Sequence, residues 1–167
     1  IYMWLVIVVC VIVFGGSLAL ITPLARFRAV HRFFERSWAR SIIRLSGGEL
    51  TVEGLDKLNP HVPYVFMSNH QSYFDVMCLV GYLPQPARFV AKKELVWLPI
   101  FGQMMWATGH IIVDRGKHEK SVRSLARAAE RIRSGTSILV FPEGTRSPDH
   151  RLGEFKKGGF MLALEAQ

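Results

Sequence analysis

The apolar positions of this chain follow three different patterns. Residues Ile1 to Ala25 carry no charge, and IYMWLVIVVCVIVFGGSLALIT is apolar almost throughout. About 20 such residues match the hydrocarbon thickness of a bilayer, so a hydrophobic membrane helix is expected here. Gly15-Gly16 leaves room for a kinked or half-inserted form. A cleaved signal peptide fits less well, because the run has neither a basic start nor a small-x-small cleavage site. Next comes RFRAVHRFFERSWARSIIRL, with arginines at 32, 36, 40 and 44 and apolar Phe27, Val30, Phe34, Trp38 and Leu45 at helical spacing on another face. This spacing predicts a basic amphipathic helix, lying at an anionic membrane surface or packed on the domain with its arginines solvated. The positive-inside tendency puts it, and the residues after it, on the cytoplasmic side.

Beyond Leu45 the pattern shortens. GGELTVEG reads as a strand between glycines, followed by VPYVFM (62–67), ARFVA (87–91), HIIV (110–113) and SILVF (137–141), each apolar and rich in strand formers. Helix-like stretches lie between them. The clearest runs from Ser121 to Gly135, with Val122, Leu125, Ala129 and Ile132 on one face and a glycine stop. Strands alternating with helices predict an α/β domain with a mostly parallel central sheet flanked by helices. The apolar and basic helices would precede it.

Composition changes this picture little, but charge narrows the function. The 167 residues are half hydrophobic and carry a formal net charge of +8, all of it after Ala25. No helix-turn-helix, zinc-finger or ribonucleoprotein pattern accompanies the charge, so phospholipid phosphates are the expected partners rather than nucleic acid. Cys10 and Cys78 sit far apart in apolar surroundings and suit buried thiols, neither a disulfide framework nor a metal site. With no metal-ligand spacing, nucleotide loop or redox motif, no cofactor is expected.

Three strands run into polar residues at their carboxyl ends. VPYVFM leads to Ser-Asn-His, HIIV to Asp114-Arg115 and SILVF to PEGTRS. Ligand sites in open α/β sheets form there, so His70 and Glu143 are expected to line one cleft. On one continuous helix His70 and Asp75 would lie about 140° apart. A strand-to-helix turn through Gln71 and Ser72 would instead let Asp75, in the helix's first turns, accept the proton on one imidazole nitrogen and leave the other as a base. No GxSxG elbow supplies a nucleophile, and Cys78 lies in an apolar helical run, so such a base must activate water or a substrate hydroxyl. In FPEGTRS, Arg146 can grip a phosphate, and Thr145 and backbone amides can add neutral donors. Glu143 beside such a site must either bind a hydroxyl or hold the loop.

NHQSYFD (69–75) and FPEGTRS (141–147), in this order, resemble the glycerolipid acyltransferase family, the 1-acylglycerol-3-phosphate acyltransferases in particular. VAKKEL (90–95), LPIFG (98–102), GHIIVDR (109–115) and FKKGGF (155–160) resemble its intermediate blocks. The similarity runs from about Leu50 onward. The apolar and basic segments are expected to form a membrane-anchoring portion over 1–46, with the catalytic domain over 47–167. The resemblance implies acyl transfer from coenzyme A or acyl carrier protein to the free hydroxyl of 1-acylglycerol-3-phosphate, with no cofactor beyond the thioester co-substrate. By position, His70 would be the general base and Asp75 its orienting partner. Glu143, Gly144, Thr145 and Arg146 would hold the acceptor's glycerol phosphate, and Arg115 and Lys92 would face the same phosphate. The helix begun by GGFMLALEAQ reaches Gln167 without the proline-containing apolar strand of the family's last block, so the catalytic domain is expected to be incomplete at its C-terminus. Transfer to glycerol 3-phosphate or another lysolipid, thioester hydrolysis, and a binding protein that keeps the motifs as relics are the competing readings.

Overall fold

The computed structural model describes residues 2–21, 28–114 and 118–167. The chain forms two units, one built from Ile1–Leu58, Tyr73–Pro84 and Glu94–Gly109, the other from Asn59–Ser72, Gln85–Lys93 and His110–Gln167.

The first unit is helical. The apolar N-terminus forms α1 (Tyr2–Cys10), a π-helical turn (Val11–Gly15) and α2 (Gly16–Ile21). The break coincides with a close approach: a Cβ on Gly15 would sit 2.5 Å from Ile100 Cγ2 and 3.0 Å from Met104 Sδ. Among the described residues no helix is long and apolar enough to cross a membrane. This corrects the expectation of a helix long enough to span, because the apolar run is divided at Val11–Gly15, beside the Gly15-Gly16 pair that left room for a kink.

The basic segment forms α3 (Arg28–Leu45) as its spacing predicts. Trp38, Ala39, Ile42 and Ile43 on its apolar stripe join Val6, Cys10, Leu18, Met77 and Met104 in one buried cluster. The unit also holds α4 (Phe74–Tyr82) and α5 (Phe101–Thr108), the latter entered through a 3₁₀ segment (Lys93–Trp97). The arginine row does not face outward along its length. Arg36 Nε and Arg40 Nε both donate to the Gly81 carbonyl, at 3.2 and 2.9 Å, and Arg32 donates to the Pro84 carbonyl. The last turn of a helix leaves carbonyls without partners and carries partial negative charge. α3 therefore caps the end of α4 with cations.

The second unit is a four-stranded parallel sheet in the order β1-β4-β2-β3, comprising β1 (Val65–Met67), β2 (Ala87–Lys92), β3 (Ile111–Val113) and β4 (Ser137–Val140). β4 lies inside it, in register with β1 through Phe66↔Leu139 and with β2 through Phe89↔Leu139. All four of its residues are buried, as expected of an interior parallel strand. α6 (His118–Arg133) and α7 (Lys157–Glu165) pack on the sheet, where Ala128, Ala129, Ile132 and Leu162 meet Ile111, Val113, Ile138 and Val140. The strand expected in GGELTVEG is absent. Glu49, Thr51, Val52 and Glu53 are exposed without a neighbouring strand, and Gly47 and Gly54 adopt φ of +73° and +76°.

Candidate active site

β1 and β4 run side by side and in the same direction, so the loops that leave them emerge at the same end. Their register continues one step past the strands, where the Ser68 amide donates to the Val140 carbonyl at 3.2 Å. From there one chain carries His70 and the other carries FPEGTRS.

Three contacts fix His70. Its backbone amide donates to Glu143 Oε1 at 2.7 Å, and its carbonyl accepts from the Ser147 amide at 2.8 Å. Its ring stacks on Phe141, with centroids 4.0 Å apart and planes inclined by 16°. The ends of β1 and β4 thus bring His70 and Glu143 into direct contact.

The 141–144 segment is a tight turn, closed by the Gly144 amide donating to the Phe141 carbonyl at 3.0 Å. Proline second and glycine fourth suit such a turn. Gly144 has φ of +71°, and a Cβ there would lie 3.0 Å from Lys156 Nζ, so the glycine serves both backbone conformation and close approach. Glu143 is 4 % exposed and accepts a second backbone amide, from Gly153 to Oε2 at 3.0 Å. A buried carboxylate needs such partners. The Lys156 amide closes the loop on the Pro142 carbonyl at 2.8 Å.

The remaining expected residues are placed as follows. Thr145 and Arg146 are exposed on the same loop, and Lys92 is exposed at the carboxyl end of β2. Asp75 occupies the first turn of α4, in the helical unit, as a strand-to-helix turn requires. Arg115 lies outside the described residues. Beside it in sequence, Asp114 pairs with Lys93 at 2.9 Å.

Sequence reading gave no role to Phe141, Ser147, Gly153 or Lys156. Ser147 and Gly153 act through their amides, which any residue but proline supplies, so side-chain chemistry held no signal. Lys156 lies in FKKGGF, where the signal was the motif itself. In α4, burial and then the charge of Asp75 push the Cys78 thiol above the ordinary range, which disfavours the thiolate. A groove of about 540 Å³ lined by residues such as His110, Ser124, Arg127 and Arg131 includes none of these site residues.

The sequence profile of the acyltransferase family matches residues 49–167, a span that includes both His70 and the FPEGTRS loop. The chain belongs to that family. It is 35% identical over 159 residues to a 1-acyl-sn-glycerol-3-phosphate acyltransferase of Pseudomonas aeruginosa, covering 92% of this chain and 61% of that one. To a chloroplast 1-acyl-sn-glycerol-3-phosphate acyltransferase of Arabidopsis thaliana it is 37% identical over 139 residues, 83% of this chain and 38% of the other. The crystal structure of the 1-acyl-sn-glycerophosphate acyltransferase from Thermotoga maritima superposes with a TM-score of 0.83 at 26% identity, over 99% of this chain and 67% of that one. The chain thus spans about three fifths or less of these curated sequence relatives.

Proposed function

We propose that this chain is the catalytic portion of an enzyme that moves a fatty acyl group from an acyl thioester to the free hydroxyl of 1-acylglycerol-3-phosphate, giving phosphatidic acid. The observation that carries the reading is the hold of the FPEGTRS loop on His70, through the Glu143 carboxylate, the Ser147 amide and the Phe141 ring. The activities named for the Pseudomonas, Arabidopsis and Thermotoga proteins agree with it.

In this reading His70 takes the acceptor hydroxyl's proton as the oxygen attacks the thioester carbonyl. The tetrahedral oxyanion collapses to the new ester, the thiolate leaves, and the proton passes to its sulfur. No acyl-enzyme forms. Asp75 orients the imidazole, while Gly144, Thr145, Arg146, Lys92 and Arg115 receive the phosphate and Glu143 stands beside them. General-base help is worth about 10²- to 10⁴-fold, and alignment of the two substrates contributes at least as much. The donor is acyl-coenzyme A or acyl carrier protein.

The N-terminal helices would hold the enzyme at the membrane from its cytoplasmic side. Exposed Tyr2, Trp4, Leu5, Val8, Val9, Ile12, Val13 and Leu20 support this, since a large apolar surface rarely faces water without a partner.

The test is transfer from a long-chain acyl-coenzyme A by full-length protein in detergent, with and without lysophosphatidate, alongside His70→Ala. Acceptor-dependent phosphatidate that falls at least about 10²-fold in the variant is expected. Thioester loss without acceptor would make the enzyme a hydrolase, and near-normal transfer by the variant would remove His70 from the mechanism.

A further inference from the structure

Glu143 offers little of itself to a substrate. It is 4 % exposed, and each carboxylate oxygen already accepts a backbone amide, Oε1 from His70 at 2.7 Å and Oε2 from Gly153 at 3.0 Å. A carboxylate within a phosphate-binding loop also opposes the charge that the loop would receive. The two amides come from segments far apart in the chain, the loop after β1 and the return toward α7, so one side chain ties both to the 141–144 turn. The His70 carbonyl is held at the same time by the Ser147 amide at 2.8 Å. Both sides of the histidine's backbone are thus fastened to the FPEGTRS loop, and its ring lies against Phe141 of that loop.

We propose that Glu143 is a positioning residue that sets the place of the His70 imidazole through its amide, rather than a ligand of the acceptor. The proposal rests on the reading of His70 as general base. A carboxylate is required because two N–H groups converge on it and both its oxygens accept. A glutamine offers one acceptor oxygen, so one of the two amides would face an NH₂ group. An aspartate keeps both acceptors on a stem one methylene shorter. Misplacing a catalytic group by about 1 Å lowers turnover by about 10²-fold. The effect falls on kcat, because the parts that bind the acceptor are left in place.

Two measurements on the full-length protein decide the matter. Glu143→Gln should lower kcat by about 10²-fold with the KM for lysophosphatidate within about threefold of wild type. Glu143→Asp should fall between, which also covers a glutamine variant that folds poorly. Arg146→Ala should do the reverse, raising the acceptor KM. Hydrogen exchange at the His70 amide needs no turnover, and it should quicken at least about tenfold in Glu143→Gln as the bond's protection is lost. Unchanged exchange at His70, or a raised acceptor KM with kcat restored at saturation, overturns the proposal. A wild-type protein that acylates no lysolipid would instead sink the assigned reaction, and the exchange rate would still decide whether Glu143 holds His70.

Discussion

The sheet unit and the helical unit solve the same problem by different means. In the sheet unit, backbone pairing carries the strands. Parallel ladders join β4 to both neighbours, and the site loops beyond them are tied by amides to a carbonyl or to Glu143. In the helical unit, the side chains of one helix satisfy the end of another, as Arg36 and Arg40 share the Gly81 carbonyl. Backbone ladders fix register, and register places the site. Helix-on-helix packing fixes only faces, so specificity there falls to close contacts and to a few long polar side chains.

The largest expected effect tests the ladder. Ile138 is fully buried on β4 and in register with Val65. Ile138→Ala should lower unfolding stability by about 2–5 kcal/mol, read by chemical denaturation, and should lower transfer as well, since the loops carrying His70 and Glu143 leave this strand pair. A loss below about 1 kcal/mol would mean that the β1-β4 pair does not anchor the site.

The next effect belongs to the helical unit and to a single close contact. A Cβ on Gly102 would meet the Val96 carbonyl oxygen at 1.9 Å, while the Gly102 amide already bonds the Leu98 carbonyl at 2.8 Å. The obstacle is backbone on both sides, so no rotamer relieves it. Gly102→Ala should cost about 3 kcal/mol, the upper end for overpacking, seen as a lowered thermal midpoint. A neutral result would show that the entry to α5 yields, and that close contact does not define this unit.

These two cases also mark what the sequence disclosed. β2, β3, β4 and α6 were legible because alternation of apolar runs with turn residues is local information. β1 is three residues long rather than six: Val62 belongs to a turn, its amide on the Asn59 carbonyl at 3.2 Å, and the Tyr64 amide goes to the Ser137 hydroxyl at 3.1 Å instead of a strand carbonyl. The partnership of His70 with Glu143 followed from strand ends, whereas the choice between binding a hydroxyl and holding a loop depended on where two distant amides converge. The four-residue period of the arginines was plain, but its partner was not. Gly81 lies 41 residues from Arg40, and nothing in a helical period says what the charged face will meet. The N-terminal apolar run was equally plain, with room for a kink at Gly15-Gly16, whereas the close approach of Ile100 and Met104 to Gly15, from far along the chain, was not.

A smaller effect sharpens the contrast through the arginines. Arg36→Ala and Arg40→Ala should each cost about 1 kcal/mol or less, because the remaining guanidinium still serves the Gly81 carbonyl. The double change leaves that carbonyl with neither donor. It should exceed the sum of the singles by about 0.5–1 kcal/mol, the size expected of groups in one network. Strict additivity in denaturant titrations would return the arginines to the solvated or lipid-facing role that their period also allowed.

The smallest effect concerns Cys78, and its sign is fixed. Burial and then the Asp75 carboxylate disfavour the thiolate, so the folded-state pKa is raised above its unfolded value. A group of this kind stabilises the fold fully below the unfolded thiol's pKa of about 8.5, and that contribution fades as pH rises through the folded value. At pH 8 the native thiol should therefore alkylate more slowly than a free cysteine, and its rate should climb only at higher pH. Asp75→Asn, in a Cys10→Ala background, removes the nearby charge but not the burial, which is the larger cause. It should move the profile only part of the way toward the ordinary range. A complete return would make charge the main cause, and would mean that Cys78 is less enclosed by the helical unit than its packing implies. An unchanged profile would leave burial alone to account for the quiet thiol.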